Sequence, residues 1–157
     1  MDKVSDSFAD RWARKWKACG FEDIGFEMLL CGDVVLPDSA APCLSFTEKT
    51  LPICQVYRLS WSAEDQERLA PYLIIGSDGA GNPICTEKGK VVLLDHEDHF
   101  TTKQFVNSSV HQLAECLLAF MGEENPVRFR DALLAIDPSA GDVGTFWFQA
   151  AEGLETA

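Results

Sequence analysis

The chain has 157 residues, about the size of one domain, and its 46% hydrophobic and 10% aromatic content suits a packed core and argues against overall disorder. Lysine and arginine total 13 against 25 aspartates and glutamates, a net charge of -12, which disfavours phosphate backbones and anionic membrane surfaces as general partners. The same field steers basic proteins toward the chain.

Met1 to Lys17 is charged and amphipathic and has no apolar signal-peptide core. No stretch approaches the roughly 18 apolar residues of a membrane span. The 6 cysteines include no Cys-x-x-Cys pair. These features predict a cytoplasmic protein with reduced, core-type cysteines.

In chain order, Ser7 to Lys17 reads as a helix capped by Ser7, with Phe8, Trp12 and Trp16 on one face and Gly20 as its stop. Ile24 to Ser60 reads as short strands and loops interrupted by Pro37, Pro42 and Pro52. Within it, Phe26, Met28 and Leu30 show an imperfect period of two, and Ile53 to Leu59 is a further strand candidate. Ser62 and Asp65 stand in capping-box spacing at the head of one or two helical turns.

The middle predicts an antiparallel meander. Tyr72 to Ile75 is a strand stopped by Gly76, Asp78 to Asn82 a turn, and Pro83 to Thr86 a second strand. Glu87 to Lys90 is a second turn and Val91 to Leu94 a third strand. Asn107 ends a strand, and Ser109 with Gln112 opens a strong helix carrying Val110, Leu113, Ala114, Leu117 and Phe120. Asn125-Pro126 starts another helix, which Pro138 limits, and a last short helix carries Phe146 and Trp147. Strands clustered between helical ends predict an α+β fold, in a single domain over residues 1–157.

Motifs for catalysis are missing from this pattern. Gly76 to Gly81 leads into a strand rather than a helix, so it is a turn and not a phosphate cradle. Asp95-His96-Glu97-Asp98-His99 holds metal-ligand types, but on a strand His96 and His99 point to opposite faces, and only a turn would converge them. A solvated acidic loop is the plainer reading. His111 follows Ser109 in a helix start, with no nucleophile elbow nearby. No enzyme activity, cofactor or metal is therefore expected.

The run from Tyr72 to Phe120 resembles the SUKH superfamily, which contains bacterial toxin-immunity proteins and a yeast cell-wall-synthesis regulator family. The resemblance rests on Tyr72 to Gly79, Gly81 to Ile84, Gly89 to Val92, Asp95-His96, Phe105 to Ser109 and Leu113 to Phe120, in that order. Leu36-Pro37 resembles an upstream family signal, and Phe146-Trp147 a C-terminal aromatic pair of one subgroup. The resemblance implies an α+β fold and neutralisation of a cognate secreted toxin, such as a basic nuclease or deaminase, by direct binding. A regulatory adaptor of the same fold is the alternative, and a small metal-dependent hydrolase at His96 and His99 a further one.

The candidate partner-binding residues are Asp78 in the first meander turn, Glu87 in the second, and Asp95, Glu97 and Asp98 after the third strand. Trp61 is the candidate aromatic anchor because it precedes the polar stretch Ser62 to Arg68; a core position is its other reading. Alternate turns of the meander are expected at opposite ends, so Asp78 joins Asp95 to Asp98 only if the strands are short or strongly twisted. Glu87 is assigned to a different patch.

Overall fold

The computed structural model describes residues 7–20, 28–31, 34–57 and 59–155. Helix α1 is Phe8–Ala18, and the Ser7 hydroxyl accepts from the Asp10 N–H at 3.1 Å, the cap that the spacing predicts. Trp12 is buried, and Phe8 and Trp16 are half-buried against the same core. Gly20 stands past the end with φ +83°.

Strands β1 (Met28–Cys31) and β2 (Val34–Pro37) form an antiparallel hairpin. Phe26 and Ile24 lie outside the described residues. Strands β3 (Ser39–Ala40) and β4 (Leu44–Pro52) follow, then helices α2 (Ile53–Val56) and α3 (Ala63–Leu69). The meander is β5 (Leu73–Ser77), β6 (Pro83–Glu87), β7 (Lys90–Leu94) and β8 (Lys103–Asn107). Helices α4 (Val110–Phe120), α5 (Pro126–Ile136) and α6 (Phe146–Glu155) complete an α+β fold.

β3 to β8 make one six-stranded antiparallel sheet in sequence order, so the meander extends beyond the three strands expected. The turn between β6 and β7 has two central residues, Lys88 at φ +50° and Gly89 at φ +84°. That pair of positive angles matches the strand twist and fixes the register Glu87↔Lys90.

Both faces of the sheet are covered, which explains why Val91 to Leu94 is an unbroken apolar run. Ile75, Ile84, Val91 and Val106 face a large core with Trp12, Leu113, Leu117, Phe129 and Trp147. Ile74, Cys85, Val92 and Leu94 face a small core with Ile53, Leu69 and Phe100. α1, α4, α5 and α6 supply the helical partners in the first; α2, α3 and the β7–β8 connection form a cap over the second.

Two local expectations fail for identifiable reasons. Ile53 to Val56 is a helical turn, not a strand: Pro52 ends β4, and the Tyr57 N–H bonds to the Ile53 carbonyl at 3.0 Å. This turn carries Ile53 into the small core and sets Tyr57, at i+4, edge-on to Phe100 with ring centroids 4.8 Å apart. Gly76 does not stop β5 but lies inside it, opposite Phe46. A Cβ there would meet the Ser45 carbonyl oxygen at 2.2 Å, so glycine is required by close backbone approach rather than by a turn.

A buried polar cluster ties the large core together. Asp137 is 1% exposed, and its carboxylate accepts from the Ser108 N–H at 2.7 Å, the Ser108 hydroxyl at 2.8 Å and the Asn107 amide at 3.1 Å. The Trp147 indole donates to Asn107 Oδ1 at 2.8 Å. Asn107 and Ser109 thus end β8 and cap α4 as expected, and Asn107 also locks α6 to the sheet.

Candidate partner-binding face

The antiparallel alternation puts the β5–β6 turn and the β7–β8 connection at the same end of the sheet, whatever the strand length. The expectation that Asp78 needs short or twisted strands to meet Asp95 to Asp98 is therefore corrected. Asn82 Oδ1 accepts from the His96 backbone N–H at 3.0 Å and lies 2.6 Å from His96 Nδ1, joining the two turns directly. Glu87 belongs to the β6–β7 turn at the other end of the strands, as assigned.

Most of the expected carboxylates are engaged locally. Asp78 Oδ1 accepts from the Ala80 and Asn82 N–H groups, each at 2.9 Å, and organises its own turn. Asp95 accepts from the Glu97 N–H at 2.8 Å and caps a 3-10 turn, His96–Asp98. Asp98 accepts from the Thr101 and Thr102 N–H groups at 3.0 and 3.1 Å and from the Thr102 hydroxyl. The Thr102 hydrogen bond leads the effects that hold the Asp98 carboxyl below its ordinary range. Glu97 is exposed. Glu87 forms an ion pair with Lys103 at 3.0 Å. Burial alone would raise its pKa, but hydrogen bonds from Lys103 and Tyr72 outweigh that and lower it.

His96 and His99 diverge, because the 3-10 turn sends one to Asn82 and the other to α3. His99 Nε2 lies 3.1 Å from Asp65 Oδ2. Among the described residues no group of three or more His, Cys, Asp or Glu side chains is placed to hold a metal ion. The five cysteines described side chain by side chain form no disulfide, and Cys31 lies outside them.

Trp61 is half-buried. Its ring lies 4.8 Å from His99 and 5.8 Å from Phe100, and its indole donates to the Tyr57 carbonyl at 3.0 Å. It packs on the small core and keeps one part in solvent.

Sequence reasoning overlooked the residues that hold this end in shape. His99 and Phe100 have φ of +59° and +63°, a left-handed pair that costs about 1–3 kcal/mol per residue. The Arg68 guanidinium offsets this by donating to both carbonyls at 3.0 Å, and the Phe100 ring is buried. Asp65 receives Arg68 at 3.4 Å as well as His99. Hydrogen bonding at the Ser62 cap leads the effects that lower the Asp65 pKa. The capping spacing marked Asp65; nothing local marked Arg68, whose partners are 31 and 32 positions away.

No helix among the described residues is long and apolar enough to cross a membrane. A sheet covered by four helices on one face and a small acidic cap on the other, with two joined turns at one end, defines a single-domain α+β fold. The SUKH-4 immunity protein model matches residues 29–153, and the chain belongs to that family. Neither the curated proteins nor the solved structures gave a match.

Proposed function

We propose that the chain, as one SUKH-like domain over residues 1–157, is a non-catalytic cytoplasmic immunity protein that neutralises a cognate toxin by direct binding. Family membership supports the toxin role. The observation that carries the surface assignment is the joined turn end of the sheet. There Glu97 and Asp98 are exposed beside the half-buried Trp61, and α3 adds exposed Glu64 and Glu67. A net charge of -12 makes a basic nuclease or deaminase domain the fitting partner. Asp78, Asp95 and Asp98 shape this surface while contributing charge, Glu87 acts at the far end, and Trp61 is the anchor.

The test separates steering from loop folding. Glu64→Gln, Glu67→Gln and Glu97→Gln are combined, since these side chains hold no turn, and association with the protein encoded immediately upstream is followed by stopped flow. The association rate falls several-fold at low salt, and its salt dependence flattens, because the Debye length is only about 8 Å at physiological ionic strength. An unchanged rate and salt slope in the folded variant would rule out this surface.

A further inference from the structure

β4 leaves its register with β5 between Phe46 and Leu51, so that five steps along β4 correspond to two along β5. The extra chain opens the sheet and leaves a groove of about 220 Å³ beside α2. Phe46, Tyr57, Ile74 and Gly76 line it, and Val56 stands at its mouth. Val56 is 44% exposed and Leu59, just beyond Tyr57, 49% exposed. Single exposed apolar side chains are ordinary, as at Val127 and Leu134; what distinguishes Val56 from these two is that it lines an apolar groove.

The groove is continuous with the acidic end. The Tyr57 hydroxyl donates to the Gly81 carbonyl at 2.8 Å, which fastens the groove wall to the β5–β6 turn. Trp61 hangs from the Tyr57 carbonyl, and α3 follows directly. Across α3 and the two joined turns, the carboxylates of Glu64, Asp65, Glu67, Asp78, Asp95, Glu97 and Asp98 outnumber the Arg68 guanidinium.

We propose that this groove is the socket of the binding face. Its occupant is a basic segment of a partner protein that inserts one apolar side chain between Phe46, Tyr57 and Val56 while flanking arginines or lysines meet the acidic rim. The inference rests on the toxin-binding reading and adds where the partner docks and with what chemistry. Charge supplies the approach, and desolvation of the apolar side chain supplies the residence time.

Two probes test it on the full chain. The first is a synthetic peptide with one leucine between two arginine–lysine pairs, titrated into isotope-labelled protein. Its controls replace the leucine with serine, or the basic residues with glutamates. The Val56, Tyr57 and Gly76 amide signals move with the first peptide and with neither control. The second probe is the protein encoded immediately upstream. Its dissociation is compared between Val56→Asp or Leu59→Asp and the distal changes Val127→Asp or Leu134→Asp, which place the same charge on exposed apolar sites of α5. Dissociation from the groove variants is about tenfold faster, the scale of a hot-spot loss, and from the α5 variants unchanged. A peptide response at the groove without binding of the upstream protein supports the socket and overturns the partner assignment. Tight binding of the upstream protein with equal dissociation from all four variants overturns the socket and leaves the toxin reading standing.

Discussion

The two faces of the sheet are built to different specifications. The helical face buries Trp12, Leu113, Leu117, Phe129 and Trp147 in one continuous core, and even its polar groups, Asn107 and Asp137, are sealed and mutually bonded. The cap face closes over a few residues and depends on its rim: the Arg68 clamp, the Asp65–His99 contact, the Asp98 turn and the Glu87–Lys103 pair. Each of these rim contacts is partly solvated and individually modest in energy. One face thus carries the stability, and the other presents charge and apolar surface in a shape held by polar contacts. Local opening is expected where few buried apolar contacts are made.

The strongest way to break the comparison is in the large core. Trp147 is fully buried and holds Asn107, so Trp147→Ala is expected to cost about 3–5 kcal/mol by chemical denaturation. Leu117→Ala, at 1% exposure, follows at about 2–5 kcal/mol. A loss below about 1 kcal/mol for either would mean that this face is not the stabilising one.

Phe100→Ala sharpens the contrast, because each core contains its own thiol. Cys85 lies under the cap and Cys116 in the helical core, and burial pushes both up to about 12. In the native protein both are expected to label slowly, Cys85 the faster if the cap opens more readily than the helical core. Phe100→Ala is expected to speed labelling of Cys85 by about tenfold or more and to leave Cys116 unchanged, as a local opening requires. Equal acceleration of both would show a single cooperative unit.

The smallest effect is on acidification. Asp65, Glu87 and Asp98 all have carboxyls held below their ordinary range. A lowered native pKa stabilises the folded state fully above the unfolded value, about pH 4, and the contribution is lost as pH falls through the native value. All three groups brace the cap side. Amide protection in α3 is therefore expected to fall between about pH 5 and pH 3 while protection in α4 holds. Parallel losses in both helices would place the acid-sensitive contacts elsewhere.

Local chemistry in the sequence determined most elements. Ser7, Ser62, Ser109 and Asn125 each cap the helix that their spacing announces, because a cap acts across two or three residues. The β6–β7 turn, the apolar strands, the α+β class and the SUKH resemblance were legible for the same reason, as was the acidic character of the partner-binding candidates. The tertiary structure alone decided what depends on distant segments. Ile53 is helical because Pro52 ends β4 and Phe100 receives Tyr57. Gly76 is glycine because the Ser45 backbone presses on it from β4, and the groove beside α2 exists because β4 slips its register there. Arg68 and Asp137 became visible only once segments about thirty positions apart had met. Propensity and capping act over a few residues, whereas burial, close approach and long-range hydrogen bonds are properties of the assembled chain.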